Sequence, residues 1–322
     1  MRKRPSTSAL KNGIIHGDRI MLSRAITLVE SRRSDDKELA NKLIEEILPY
    51  TGKSFRIGMT GVPGVGKSTF IEVFGKYLTS NGYKVAVLSI DPSSSISRGS
   101  ILGDKTRMEE LAFDPNAYIR PSPSGTHLGG VAQKTRESML LCEAAGYDII
   151  IIETVGVGQS ETSVKNMVDF FLLLMLAGGG DELQGIKRGI MEMADMVVIN
   201  KVDDPKDTTA ARAAKEYERA LHLFPPHPGE WIVPVLKASA VNNTGVQEVW
   251  KQVEYYRKLT QSNEYFQSNR KQQNVGWFRE ALNQQLIDNF YGKKGKKEEV
   301  KKAEEAISSG RLSIRKAIDQ LF

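Results

Sequence analysis

Four residues in one short stretch, Gly61, Gly66, Lys67 and Ser68, have the types and spacing needed to hold a polyphosphate. They lie in Gly61-Val62-Pro63-Gly64-Val65-Gly66-Lys67-Ser68-Thr69, which fits the pattern G-x-x-x-x-G-K-[ST]. Glycines let the backbone curl so that successive N–H groups converge in one concavity, which a side chain would block. Lys67 adds a full positive charge for the β- and γ-phosphates, and the Ser68 hydroxyl is placed to ligate magnesium. The plainer alternative is a glycine turn between a strand and a helix. The full pattern, set between an apolar strand and a helix, favours a phosphate loop.

Later stretches supply the rest of a nucleotide site. The run Asp148-Ile-Ile-Ile-Ile152 reads as a central parallel strand buried on both faces, and it ends in Glu153-Thr-Val-Gly156-Val-Gly158-Gln159. An acidic residue at the carboxyl end of such a strand stands beside the phosphate loop, where Glu153 can hold Mg²⁺ directly or through water. Gly156 would give a backbone N–H to the γ-phosphate. Asn200-Lys201-Val202-Asp203 ends another strand. Asp203 can accept from the N1–H and N2–H₂ edge of guanine, while Asn200 contacts the ring and Lys201 lies along it. Adenine offers an acceptor where guanine offers a donor, so discrimination of about 10⁴ is expected. Ser239-Ala240, one strand further on, would give a backbone N–H to guanine O6. These parts stand in the order expected of a GTPase that binds GTP and GDP. No glutamine directly follows Gly156, where small GTPases orient the attacking water, so a low intrinsic rate stimulated by a partner is expected.

Alternating strand and helix patterns must position these residues. Lys53 to Thr60 and Lys84 to Ile90 read as strands flanking the helix after the phosphate loop, a βαβ unit with parallel strands and a right-handed crossover. Residues 92 to 108 are polar and long enough for a nucleotide-sensing switch. Further strands are expected at Tyr118 to Arg120, Phe170 to Leu176, Met196 to Ile199 and Trp231 to Leu236, and helices at 133–145, 183–193 and 208–221. Before the first strand, Arg19 to Ser31 and Asp36 to Leu48 are helical patterns. From Gln247 the chain is helical and polar, with one apolar face through Trp277, Phe278, Leu282, Leu286 and Phe290 and another through Ile314, Ile318 and Phe322. The expected fold is α/β: a doubly wound, mainly parallel P-loop NTPase sheet. The domains read as a helical extension at 1–50, a GTPase domain at 51–260 and a helical arm at 261–322.

Composition narrows the function classes. The chain has 322 residues, 40% hydrophobic and 26% charged, which describes an ordinary globular protein. The formal charge of +6 is spread out, and its densest cluster, Lys293 to Lys302, is interleaved with Glu298 and Glu299, so no nucleic-acid partner is expected. Cys142 is the one cysteine, which excludes a disulfide framework. No apolar signal segment follows Met1-Arg-Lys-Arg, and no run is long enough to span a bilayer. A cytoplasmic location with no membrane partner is the expectation.

The chain resembles the methylmalonyl-CoA mutase-associated GTPases, the MeaB type, also described as ArgK or LAO/AO transport ATPases. The resemblance runs through Gly61 to Ser68, Asp91-Pro-Ser-Ser, Arg120-Pro-Ser-Pro-Ser-Gly-Thr, Glu153-Thr-Val-Gly-Val-Gly-Gln, Gly180-Asp-Glu-Leu-Gln-Gly-Ile-Lys-Arg-Gly-Ile-Met-Glu and Asn200-Lys-Val-Asp. It implies a GTPase that guards loading and repair of adenosylcobalamin on methylmalonyl-CoA mutase or a related mutase. It also implies that the C-terminal arm forms a homodimer. By the same resemblance Asp91, Asp104 and Glu153 join Ser68 as magnesium-associated residues. Lys187 becomes a mobile-loop residue coupling nucleotide state to the partner, and Lys67, Glu153 and Lys187 the catalytic set. One competing reading is a P-loop ATPase or kinase linked to lysine, arginine or ornithine transport. Such a kinase has no need of the Asn200-to-Asp203 element. A basic RNA-binding GTPase is a third reading, disfavoured because no aromatic-basic module is present.

Overall fold

The computed structural model describes residues 5–31, 33–90, 108–120, 128–154, 161–177, 188–204 and 206–322. Among them, short apolar runs form one parallel sheet of β1 (Phe55–Gly61), β2 (Val85–Ile90), β3 (Ala117–Arg120), β4 (Ile149–Thr154), β5 (Phe170–Leu176), β6 (Met196–Asn200) and β7 (Val235–Lys237). The order across the sheet is β3-β2-β4-β1-β5-β6-β7. The chain works outward from β1 to β3, returns through β4, and continues past β1 to β5. Neighbouring connections therefore diverge at the end of β1, the crevice where open α/β sheets bind ligands. Met59 pairs with Glu153 and Gly61 with Leu174, which brings the phosphate loop level with the carboxyl ends of β4 and β5.

Helices cover both faces, as a parallel sheet requires. The described helices before β4 are α1 (Thr7–Ile15), α2 (Arg19–Glu30), α3 (Ser34–Ile47), α4 (Lys67–Ser80), α5 (Glu109–Phe113) and α6 (Leu128–Ala144). After β4 come α7 (Glu161–Lys165), α8 (Arg188–Met193), α9 (Thr208–Leu221), α10 (Val246–Ser262), α11 (Tyr265–Gly292), α12 (Lys296–Ser308) and α13 (Ile314–Leu321). Phe55, Ile57 and Met59 of β1 share a core with Phe70, Ile71 and Phe74 of α4 and Val249 and Trp250 of α10. Each such fully buried large side chain contributes about 1.5–3 kcal/mol. On the other face a Cβ at Gly58 would come within 2.9 Å of Val164, so α7 packs directly onto β1. The N-terminal helices join the sheet at β3: Ser23 Oγ lies 3.1 Å from the Tyr118 hydroxyl, and Glu30 pairs with Arg120.

Two compact units emerge, Met1–Gln273 and Asn274–Phe322. The start of α11 belongs with the first unit for a polar reason. Arg270 grips Asp169 and the carbonyls of Gly52 and Ser54, and Gln273 donates to the Val168 carbonyl at 2.7 Å. Within the second unit Phe290 stacks on Phe322 with ring centroids 4.8 Å apart, and Ala317 is buried. Phe278, Leu282, Leu286, Ile314 and Ile318 are exposed along the expected apolar faces.

The last strand is shorter than its sequence pattern suggests. The strand expected over Trp231 to Leu236 is found only at Val235–Lys237. Pro234 has no N–H for a ladder, and Trp231 is instead drawn to the Asp195 carbonyl, to which its Nε1–H donates at 2.7 Å. Helix α5 follows no pattern noted in the sequence. No helix among the described residues is long and apolar enough to cross a membrane.

Candidate nucleotide site

The loop between β1 and α4 has the geometry of an anion cradle. Gly61 lies so close to β5 that a Cβ would meet the Leu174 carbonyl at 2.4 Å. Gly66 caps α4 at φ 87°, a left-handed conformation that favours glycine, and no side chain caps the helix. The first N–H groups of α4 are therefore left to face whatever occupies the loop, with the positive end of the helix dipole behind them. Gly61, Val62 and Val65 are buried, whereas Pro63, Gly64 and Thr69 form the exposed lip.

Lys67 and Ser68 stand on the first turn of α4. Lys67 Nζ donates to the Gly61 carbonyl at 2.8 Å, bent back over the loop it serves. Burial holds its ammonium below the ordinary lysine value, and the carboxylates of Glu153 and Glu161 oppose that shift. Ser68 Oγ donates to Glu153 Oε1 at 3.2 Å. Glu153 is almost wholly buried, and beside it Thr154 donates to Thr60 Oγ1 at 2.8 Å, tying the ends of β4 and β1 together. Two hard oxygen donors so close together fit a hard divalent cation.

The residues expected to read a base are joined to the same loop. Asn200 Nδ2 donates to the Val65 carbonyl at 2.8 Å. Asn200 Oδ1 is buried with no hydrogen-bond partner among the described residues. Lys201 adopts φ 61°, and its Cε would lie 3.5 Å from a Cβ at Gly66, so its stem runs beside the loop. Asp203 is exposed at the site and accepts from Ser239 Oγ at 2.5 Å, while Asn242 Nδ2 donates to its carbonyl at 2.9 Å. Ser239 exchanges two backbone hydrogen bonds with Thr244, each 3.0 Å, so its N–H is already engaged. Ala240 is buried directly after it.

The structure thus brings together Gly61 through Thr69, Glu153, Asn200, Lys201, Asp203, Ser239 and Ala240. The expected residues Asp91, Asp104, Gly156 and Lys187 lie outside the described residues. Three contributors escaped the sequence reading: the Ser239 hydroxyl, Asn242, and the buried Glu161 that acts on Lys67. Only Asn242 carried a local signal, standing two residues after Ala240 in an Asn-Asn-Thr-Gly turn.

Known proteins resemble this chain over most of its length. The family model described as "Methylmalonyl Co-A mutase-associated GTPase MeaB" matches residues 22–295. A Caulobacter vibrioides protein described as a putative GTPase is 50% identical over 315 residues, spanning 98% of this chain and 96% of its own. The Escherichia coli GTPase ArgK is 47% identical over 305 residues, spanning 95% of this chain and 92% of its own. The mouse protein described as methylmalonic aciduria type A homolog, mitochondrial, is 45% identical over 323 residues, spanning 97% of this chain and 78% of its own. A crystal structure described as an LAO/AO transport system kinase superposes with a TM-score of 0.80 at 38% identity, covering 100% of this chain and 98% of that one.

Proposed function

We propose, from the premise that this chain belongs to the MeaB family of methylmalonyl-CoA mutase-associated GTPases, that its GTP hydrolysis is a switch serving a cobalamin-dependent acyl-CoA mutase. The hydrolytic activity goes with the family; the adenosylcobalamin-guarding role and the mutase partner are our reading. The relative described by its link to methylmalonic aciduria supports that reading. For the nucleotide, the observation that carries most weight is the bond from Asn200 to Val65, which joins a guanine-reading element to a phosphate loop.

In this reading the loop amides of Gly61 to Ser68 hold the phosphates and Lys67 offsets their charge. Asp203, steadied by the Ser239 hydroxyl, accepts from the base edge. With the Ser239 N–H engaged by Thr244, Ala240 is the donor to guanine O6. Ser68 and Glu153, with Asp91 and Asp104, would hold magnesium, which supplies charge neutralisation at the β- and γ-phosphates. Lys187 would couple the site to the partner. The exposed apolar side chains of residues 274–322 suit a homodimer contact.

A phosphate-transferring kinase is the rival reading, named by the description of one solved relative. The base-reading residues favour the GTPase. The test is to incubate a cobalamin-dependent acyl-CoA mutase with adenosylcobalamin, this protein, and either GTP or a non-hydrolysable analogue. Cofactor transfer should require GTP hydrolysis and be lost with Lys67→Ala. Transfer at equal rate with the analogue, or no association with the mutase, would refute the switch. Phosphate passing to an amino-acid substrate rather than to water would establish the kinase.

A further inference from the structure

Past the end of β6, what holds the chain changes from backbone to side chain. The Ala238 N–H donates to the Ile199 carbonyl at 2.8 Å, and the Val202 N–H donates to the Ala238 carbonyl at 3.0 Å. That exchange stops at Val202. Asp203, the next residue, is exposed, and among the described residues the hydrogen bonds that reach it come from the turn at 239–244.

This turn is a closed unit. Ser239 and Thr244 exchange backbone bonds across it, and the Asn243 N–H donates to the Ala240 carbonyl at 3.3 Å. Gly245 then returns the chain at φ 76°, where a Cβ would meet the Lys237 carbonyl at 2.3 Å, an approach that only glycine fits. Within the turn Asn242 acts twice. Its N–H donates to Ser239 Oγ at 3.0 Å, and its Nδ2 donates to the Asp203 carbonyl at 2.9 Å. A hydroxyl that accepts on one side is left to donate on the other, and Ser239 Oγ donates to Asp203 Oδ1 at 2.5 Å. The Asn242 amide therefore fixes the backbone from which the carboxylate hangs, while its N–H aims the hydroxyl that fixes the carboxylate itself.

We propose that Asn242 is a positioning residue for base selection: it holds Asp203 in the orientation that lets its carboxylate meet two donors of one base edge at once. The inference rests on the reading of Asp203 as the acceptor for guanine N1–H and N2–H₂ given above. A carboxylate that swings can follow one donor, whereas two donors on a rigid base demand a fixed plane. A purine offering both donors should thus depend on Asn242 more than a purine offering one.

Calorimetric titration of the full chain with GDP and with IDP, whose base lacks the 2-amino group, tests this, because sugar and phosphates are shared. The unmodified protein should prefer GDP by about tenfold or more, as expected for one hydrogen bond to a charged group. Asn242 is exposed, so Asn242→Ala leaves the core untouched and keeps the backbone N–H. It should weaken GDP by about fivefold to tenfold and IDP by about twofold at most. In an Asp203→Ala background the same exchange should change GDP affinity little, since the residue it acts through is gone. An unchanged GDP-to-IDP ratio in Asn242→Ala, whether from no loss or from equal losses, would overturn the inference, as would a full further loss in the Asp203→Ala background. Equal binding of GDP and IDP by the unmodified protein would instead overturn the guanine reading of Asp203, and this inference with it.

Discussion

The amide of Asn200 donates to the carbonyl of Val65 at 2.8 Å, so the strand end proposed to read a base is bonded directly to the glycine-rich loop proposed to hold phosphates. Val65 is fully buried and Asn200 nearly so. Removing the amide leaves a buried carbonyl unpaired, a loss of about 1–3 kcal/mol. Asn200→Ala should weaken GDP and GTP together, by about tenfold to a hundredfold. Calorimetric titration would contradict this if only one nucleotide lost affinity.

In the proposed reading Asp203 carries the choice of base. An amide at this position can donate to the extra carbonyl of xanthine, so Asp203→Asn should bind guanine nucleotides more weakly and xanthine nucleotides better. Ser239 holds the carboxylate from 2.5 Å away, and Ser239→Ala should lower GDP affinity by about tenfold without admitting ATP. Competition binding with the four nucleotides checks both. Equal affinity of the unmodified protein for ATP and GTP would remove the guanine assignment.

Asp195 should govern acid stability. Burial pushes its carboxyl up, but Lys165 at 2.6 Å and His227 at 3.1 Å outweigh that and hold it below the ordinary value of 3.8. A carboxyl lowered on folding stabilises the fold above its unfolded value, and that stability is lost as pH falls through the lower folded value. Unfolding followed from pH 7 downward should therefore steepen below about pH 4 in the unmodified protein. Asp195→Asn should be less stable by about 3 kcal/mol at pH 7, because Lys165 loses its partner. Its stability should also fall less in that acid window. Parallel pH curves for the two proteins would refute the assignment.

Arg270 is a second buried anchor, with a demand for shape as well as charge. It meets both Asp169 oxygens, at 2.7 and 2.6 Å, and donates to the carbonyls of Gly52 and Ser54. A lysine ammonium cannot reproduce that planar fork. Arg270→Lys should cost about 3 kcal/mol in urea unfolding despite keeping the charge. An unchanged midpoint would show that charge alone suffices.

Much of the site was legible because its chemistry is local. A phosphate loop works through contiguous backbone N–H groups, so Gly61 to Thr69 declare it by type and spacing. Asn200 to Asp203 point to a base-reading element in the same way, and Glu153 is recognisable at the end of a run of isoleucines. Buried parallel strands also advertise themselves, since both faces must be apolar; β1, β4, β5 and β6 appear where the apolar runs lie.

The remaining features depend on partners far apart in the chain. Asp195 reads as a lone polar residue before a strand, yet it binds Lys165, the Phe171 amide and His227. Arg270 lies in a polar helix with no local hint that Asp169, Gly52 and Ser54 converge on it. Glu72 resembles any acidic residue on an amphipathic helix, yet its Oε1 accepts the Leu111 N–H at 2.9 Å and so holds α5. Pattern also overran the last strand, because nothing local reveals that Trp231 is claimed by Asp195. The sequence by itself determined the parallel sheet and the phosphate loop and pointed to a guanine-reading element, because each follows from the types and order of neighbouring residues. Only the tertiary structure decided which buried charges meet, which N–H of Ser239 and Ala240 is already engaged, and which helix face seats α5, because hydrogen bonds and burial depend on distance in space.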